Sequence, residues 1–350
     1  MFVGSGDQAA NRLEVVRAHD AAKSIGDLDG VALVDGLWHD GPIRFVRPAM
    51  LVTIIIRTYN EERYLRQLLE AIAAQDLGAN RLGAPGDLQV ETLLVDSGST
   101  DRTVEIAQSH GVTICHIPAS QFSFGRSLNL GCERAAGDIL VFISGHCVPQ
   151  AATWLRALIH PIVTGSAVLT YGRQVGGDST LLSESEVFSK LYPDRSAIPQ
   201  EGFFCNNANA ALSSAVWRRH RFDEELLGLE DMHLGKRLVE SGFRIGYVAE
   251  APVVHYHHET WAQVRRRYER EAIALQRIRP EWHVTFLDFV RYFVAGVMVD
   301  SARGLQERRW LRSAPQIVMF RLMQYWGAYD GNHGHRQIAE REKRRYFYPK

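Results

Sequence analysis

Four short stretches carry residues whose types and spacing could do chemistry. "LLVDSGSTD" places Asp96 at the end of an apolar run, with Gly98 to permit a tight turn and Ser99 and Thr100 leading into a helix. A carboxylate there can accept a nucleobase N–H while the helix terminus favours phosphate. The same residues can equally do no more than cap that helix. "GLEDMHLGKRL" opens a helix with Glu230 and Asp231, where acids are also favoured simply by the helix dipole. "DILVFISGHCVP" ends an apolar run in Ser144, Gly145, His146 and Cys147. "APVVHYHHE" carries His255, His257 and His258. His255 and His257 would share one face of a strand, but no cysteine stands at a suitable spacing, so a structural zinc site is not expected.

These residues need elements to position them. "LVTIII" is a continuous β-branched apolar run, the signature of a strand buried on both faces. "NEERYLRQLLEAIAAQ" follows with Leu65, Leu68, Leu69 and Ile72 on one helical face. "VETLLVD", "VTICHI" and "DILVFIS" read as further strands. "STDRTVEIAQSHG" reads as a helix capped by Ser99 or Thr100 and stopped by Gly111, and "GRSLNLGCERAAG" as another helix. Strands alternating with helices predict an α/β fold with a mostly parallel, doubly wound sheet. Ligands bind beyond the carboxyl ends of such strands, here Arg57–Asn60, Asp96–Thr100 and Ser144–Cys147. Further on, "SAVLTYGRQVGG" suggests a strand, residues from Glu230 a helix, and "FRIGYV" and "APVVHYHH" two short strands. From Thr260 the chain reads as helical with basic and aromatic residues interleaved. Residues 1–50 read as an extension with one helix near Leu13–Ser24.

Composition narrows the class. The 350 residues are 46% hydrophobic and 23% charged, which suits a globular protein with a sizeable core. Net charge is zero, yet from Trp261 onward 18 Lys and Arg face 9 Asp and Glu. That basic region suits an anionic surface or substrate. No recognition motif for nucleic acid accompanies it. Cys115, Cys132, Cys147 and Cys205 form no CxxC pair, which argues against a zinc ribbon or redox motif and fits a reducing compartment. Cys147 is expected to be a small packed residue. The first residues lack the basic start and apolar core of a signal peptide. No apolar run approaches the ~20 residues of a spanning helix; "FLDFVRYFVAGVMV" is interrupted by Asp288 and Arg291.

"TIIIRTYNEERYLRQLL", "LLVDSGSTDRT", "SLNLGCERAAGDILVFIS" and "GLEDMHLGKRLVESG" occur in that order over roughly residues 51–275. Together they resemble the inverting family-two glycosyltransferases of GT-A type. "RTYNE" and "FSFGRSLNLG" lean towards the bacterial rhamnosyltransferase-like branch, which builds surface polysaccharides. The resemblance implies a GT-A nucleotide-diphospho-sugar transferase fold over residues 51–260, with a helical basic region at 261–350. It implies that Thr58, Tyr59, Glu61, Asp96, Arg126, Asn129 and Ser144 line the donor. Asp101 would be a capping residue. Asp231 would be the catalytic base and Glu230 its neighbour. "YGRQ" and "FFCNNANAAL" resemble acceptor-side segments, with Arg173, Asn206 and Asn207 at the pocket edge.

The sequence departs from this family at one place. An Asp-Xaa-Asp-like metal motif should follow the fourth strand, and Ser144-Gly145-His146 stands there instead. The resemblance then points to His146 and His255 as metal ligands. A neutral imidazole suits Mn²⁺ better than hard Mg²⁺; direct contact of His146 with a diphosphate, without metal, is the other reading. The expectation is a cytoplasmic enzyme moving a hexosyl or deoxyhexosyl group from a nucleotide sugar to a saccharide or lipid-linked saccharide. Its C-terminal helices would cap the domain or rest on the inner face of the plasma membrane. The alternative is a non-catalytic nucleotide-sugar or glycan-binding protein on the same fold, against which the retained Glu230 and Asp231 argue. A dinucleotide-dependent oxidoreductase is disfavoured because "RTYNEE", not GxGxxG, follows the first strand.

Overall fold

The computed structural model describes residues 50–77, 88–333 and Phe347. The helix expected near Leu13–Ser24 and the basic end after His333 lie outside these residues.

The chain runs β1 (Met50–Thr58), α1 (Glu62–Ala73), β2 (Leu88–Asp96), α2 (Thr103–Ser109), β3 (Thr113–His116), α3 (Phe124–Arg134), β4 (Ile139–Ser144) and β5 (Cys147–Pro149). It continues through α4 (Trp154–Val163), β6 (Leu169–Gly176), α5 (Leu182–Leu191), β7 (Asn209–Ser213), the one-turn α6 (Ser214–Trp217), α7 (Glu230–Glu240) and β8 (Ile245–His255). Three helices follow: α8 (Trp261–Ile278), α9 (Phe286–Gln306) and α10 (Trp310–His333). The strands form one sheet ordered β3-β2-β1-β4-β7-β6-β8-β5. The half made of β1–β4 is parallel, as the alternating pattern predicted. Beyond it, β7 runs antiparallel to both β4 and β6, and β5 antiparallel to β8.

Apolar residues on both sides of β1 and β4 explain their continuous hydrophobic runs. Ile54 and Ile56 pack with α1 and α4 residues such as Leu65 and Trp154, while Ile55 and Phe142 pack with Leu128 of α3 and Leu234 of α7. All four cysteines are free and buried, and Cys147 is a core residue as expected.

Several elements differ from expectation. The two short strands expected before and after Ala251 are one continuous β8. Val248, Ala249 and Ala251 alternate too little for the sequence to reveal a single strand. α2 begins at Thr103, and neither Ser99 nor Thr100 caps it. Arg102 stands at its N-cap with no side-chain cap, and Asp101 Oδ1, one residue earlier, accepts from Thr103 N at 3.0 Å. β5, α4, α5 and β7 add to the predicted elements; α4 buries Trp154, Leu155, Leu158 and Ile159 along one face.

One buried amide holds together the half of the sheet that carries the histidines. β6 and β8 shift register between Gly172 and Gln174. Asn209, fully buried on β7, spans this irregularity: Nδ2 donates to Ala251 O at 2.8 Å and Arg173 O at 3.2 Å, while Oδ1 accepts from Trp154 Nε1 at 2.9 Å. Replacing Asn209 by Leu would strand three buried polar groups, each costing ~1–3 kcal/mol. Urea denaturation of Asn209→Leu should therefore show a loss of about 3 kcal/mol or more; an unchanged midpoint would mean that this amide does not hold the strands.

Candidate active site

Register brings the expected loops to one edge. Thr58 pairs with Asp96, and Arg57 with Ser144. The first two loops are clasped together. Asn60 N donates to Ser99 Oγ, Thr100 N to Asn60 Oδ1, Glu62 N to Asp101 Oδ2 and Arg102 N to Glu62 Oε2. Asp96 is buried, and its carboxylate accepts from Gly98 N at 3.1 Å and Ser99 N at 3.2 Å. Gly98, at φ +94°, supplies the left-handed turn that this wrapping requires. His116 Nδ1 lies 3.4 Å from Asp96 Oδ2. Thr58 is buried, with Oγ1 donating to Val95 O, and Tyr59 is exposed. Ser144 is buried at the end of β4.

Asn129, expected at the donor, has a different place. Its Nδ2 donates to Phe222 O and Glu224 Oε1, while its Oδ1 accepts from Trp217 Nε1 and Phe222 N. Fully engaged and 1% exposed, this amide ties α3 to the segment before α7 and has nothing left for a ligand. Arg126 pairs with Glu224 at 3.2 Å on the surface.

β4 ends in a turn that presents His146. Its Nδ1 bonds Glu61 Oε1 at 2.6 Å, and its Nε2 lies 3.0 Å from His255 Nε2. Gly145 makes this approach possible: a Cβ there would fall 2.8 Å from Glu61 Cγ and 2.9 Å from Thr58 Cγ2. β5 pairs Cys147 with His255. His255 Nδ1 bonds Gln174 Oε1 at 2.6 Å, and His257 Nδ1 bonds Glu184 Oε1 at 2.6 Å. One ring nitrogen of each of His146, His255 and His257 lies within 4.8 Å of the others. His257, set apart in the sequence because no cysteine partner stood near, is therefore brought into the cluster by tertiary structure. His258 is not; it bonds the hydroxyl of Tyr64. Burial lowers the His146 pKa, but the charge and hydrogen bond of Glu61 outweigh it and the net shift is upward. Burial, with the neighbouring His257 and His146, holds His255 well below the usual histidine range.

Glu230 and Asp231 occupy the first turn of α7, preceded by Leu229 at φ 56°. Both are buried. Arg57 lies 3.4 Å from Glu230. Asp231 accepts from Asn207 N at 3.0 Å and Met232 N at 2.7 Å. Burial, then the Glu230 charge, pushes Asp231 up to about 7 against these donors and Arg57. A short chain links this carboxylate to the histidines: His255 to Gln174 Oε1, Gln174 Nε2 to Asn206 Oδ1 at 3.0 Å, and Asn207 N to Asp231. Asn207 Nδ2 is buried without a protein partner. Arg173 lies beside Tyr247, whose hydroxyl feels its charge, and does not join the chain. Sequence reasoning passed over Gln174 and Glu184 as positioning residues; both sit in segments where nothing but the fold marks them. Arg57 and Arg270 of α8 both stack on Phe124, at 5.3 and 4.8 Å.

A carboxylate near pH 7 is suited to take a proton from a hydroxyl, since base efficiency peaks when pKa approaches working pH. The raised value means that Asp231 is protonated, and inactive as a base, below about 7. kcat/KM should therefore rise with pH through about 7. Asp231→Asn should lose about 10²–10⁴ in rate and lack that rising limb. A variant with wild-type turnover or the same pH limb would remove Asp231 from the base role.

The profile of "Glycosyl transferase family 2" matches residues 53–220. The chain is 25% identical over 233 residues to the O-antigen chain rhamnosyltransferase RfbN of Salmonella typhimurium, covering 63% of this chain and 70% of that one. It is 27% identical over 189 residues to the O-antigen chain rhamnosyltransferase WbaN of Salmonella anatum, covering 51% of this chain and 60% of that one. The structure is similar to mannosyltransferase PcManGT from Pyrobaculum calidifontis, solved in complex with GDP-Man and Mn²⁺. The TM-score is 0.50 at 16% identity, over 77% of this chain and 72% of that one. Fold and sequence thus agree that the protein is a glycosyltransferase of GT-A fold, related to the family 2 rhamnosyltransferases and other nucleotide-sugar transferases.

Proposed function

We propose that the protein moves a hexosyl or deoxyhexosyl group, with inversion, from a nucleotide-diphospho-sugar to a saccharide or lipid-linked saccharide in surface polysaccharide synthesis. The observation that carries this reading is Asp231: a buried carboxylate held near neutrality at a helix start and tied through Asn207, Asn206 and Gln174 to the histidine cluster. Inversion needs a base on one side of the anomeric carbon and stabilisation of the leaving diphosphate on the other. Asp231 serves the first need, with Glu230 and Arg57 setting its field. Asp96, Thr58, Tyr59 and Ser144 lie at the sheet edge where the nucleotide would rest, and Arg126 stands farther out on the same side of α3. Asn206, Asn207 and Arg173, whose Nε is buried without a protein partner, would face the acceptor hydroxyl beside the base. His146 and His255 would hold a divalent cation, whose contribution is to offset charge on the diphosphate. The chain divides functionally into a catalytic part at 51–260 and a helical cover from 261, although α8 lends Arg270 to the catalytic face.

A panel of nucleotide sugars tests this reading. The correct donor should stabilise the protein by ~2.7 kcal/mol at a hundred times its dissociation constant. The product of transfer to a lipid-linked saccharide should show an inverted anomeric configuration by NMR. No stabilisation by any nucleoside diphosphate, or a retained configuration, would overturn it.

A lipid-linked acceptor would be met at a bilayer surface. Among the described residues no helix is long and apolar enough to cross a membrane. α9 nevertheless exposes Leu287, Val294, Met298, Val299 and Leu305, and α10 exposes Leu311. Exposed Arg291, Arg308 and Arg312 stand among them. Of the aromatic residues interleaved with the basic ones, Trp310 and Tyr325 are partly buried, Trp326 is exposed, and Tyr346 lies outside the described residues. Exposed apolar side chains with arginines among them, beside Asp288 and Glu307, fit the interface of an anionic bilayer. Sedimentation with anionic vesicles should exceed that with neutral ones, weaken with salt, and fall at least several-fold in Leu287→Ser/Met298→Ser. Equal binding to both vesicle types would remove electrostatic attachment.

A further inference from the structure

We infer that His146, His255 and His257 form a three-imidazole centre selective for a borderline divalent cation of the Zn²⁺, Co²⁺ or Ni²⁺ class. This deepens the proposed function by naming the cation. The first support is convergence. Three rings, His146 from the turn after β4 and His255 and His257 from the end of β8 and just beyond it, bring one nitrogen each within 4.8 Å of the others.

The second support is the outer partners. Each Nδ1 is fixed at 2.6 Å to an oxygen: Glu61 for His146, Gln174 for His255 and Glu184 for His257. The Gln174 oxygen is a pure acceptor, because its Nε2 donates to Asn206. His255 therefore carries its proton on Nδ1 and turns a lone pair from Nε2 towards His146. Glu61 and Glu184 hold the other two rings in the same sense. Metal-ligating histidines are held in this way almost without exception. The Nε2 atoms of His146 and His255 lie 3.0 Å apart, so either a proton on His146 Nε2 or a cation stands between them. A tetrahedral ion with bonds of ~2.0–2.1 Å would set neighbouring donors about 3.3 Å apart, close to that spacing.

The third support is what is missing from the donor set. Mg²⁺ wants oxygen ligands, and Mn²⁺ sits low in the affinity order for nitrogen sites. The nearby carboxylates are already committed. Glu61 bonds His146, while Glu184 and Glu259 meet Arg267 at 3.2 and 2.7 Å. That pairing also disfavours Glu184, His257 and Glu259 as a competing cation site. Three imidazoles with room for water or donor oxygens are the donor set of catalytic zinc. Mn²⁺ is then preferred to Mg²⁺ but ranks below Co²⁺ and Zn²⁺.

The test uses the full chain, stripped with chelator and titrated with Co²⁺, whose visible spectrum reports imidazole ligation without turnover. One equivalent should bind, Zn²⁺ should displace it, and equimolar Mn²⁺ should not. His257→Ala should bind Co²⁺ at least tenfold more weakly, and Glu184→Gln and Gln174→Ala roughly 10–100-fold more weakly. His258→Ala, outside the cluster, should match wild type. Thermal melts of each variant separate ligand loss from misfolding, and the wild-type competition stands without any variant. Absence of a Co²⁺ spectrum, displacement by equimolar Mn²⁺, or wild-type affinity in a folded His257→Ala would overturn the centre. Co²⁺ binding without sugar transfer would leave the centre standing and sink the transfer reading. Transfer by metal-free enzyme would do the reverse.

Discussion

A single hydrogen bond decides which nitrogen of His255 faces the site. With Nδ1–H committed to Gln174 Oε1, Nε2 must point at His146. Gln174 holds that position because β6 and β8 pair through an irregularity that Asn209 stabilises from β7. The geometry of the histidine cluster thus depends on the packing of three strands. A flexible loop histidine would lose rotamer freedom on binding a cation; a ring already fixed by its strand and its amide partner has lost it on folding.

The same polar chain reaches the proposed base. Gln174 and Asn206 connect the imidazoles to the loop whose Asn207 N–H holds Asp231. Two opposing needs meet at Asp231. A base must be desolvated enough to want a proton, yet ionised often enough to take one. Burial and Glu230 raise its pKa, while two backbone N–H groups and Arg57 restrain the rise. Arg57 serves twice, since its charge also lowers the affinity of His146 for a proton. Low effective dielectric makes each of these terms larger than it would be in water.

The helices after the sheet are more than a cover. α8 starts from a capping box at Thr260 and Gln263. Arg267 reaches back to the Glu184 that orients His257, and Arg270 stacks on Phe124 opposite Arg57. α10 packs along α8 and joins α9 through Arg321 and buried Asp300 at 2.7 Å. This leaves the outer side of α9 apolar and exposed.

Much of this was legible in the sequence. Continuous β-branched runs specify strands buried on both faces, and their alternation with amphipathic helices specifies the parallel half of the sheet. The ends of those strands mark the sheet edge where Asp96 and His146 stand, and Asp231 opens the helix expected from Glu230. Tertiary structure decided the rest. His146 meets His255 and His257 because β5 pairs Cys147 with His255 on β8, and no local spacing encodes that meeting. Asn129 reads as a site residue but is spent on Phe222, Glu224 and Trp217, since an amide's role depends on which partners the fold brings within 3 Å or so. Gln174 looks like any strand residue until His255 arrives beside it. Periodicity reports which face of an element is buried, whereas hydrogen-bond partners come from elements distant in sequence, and only folding determines which of them meet.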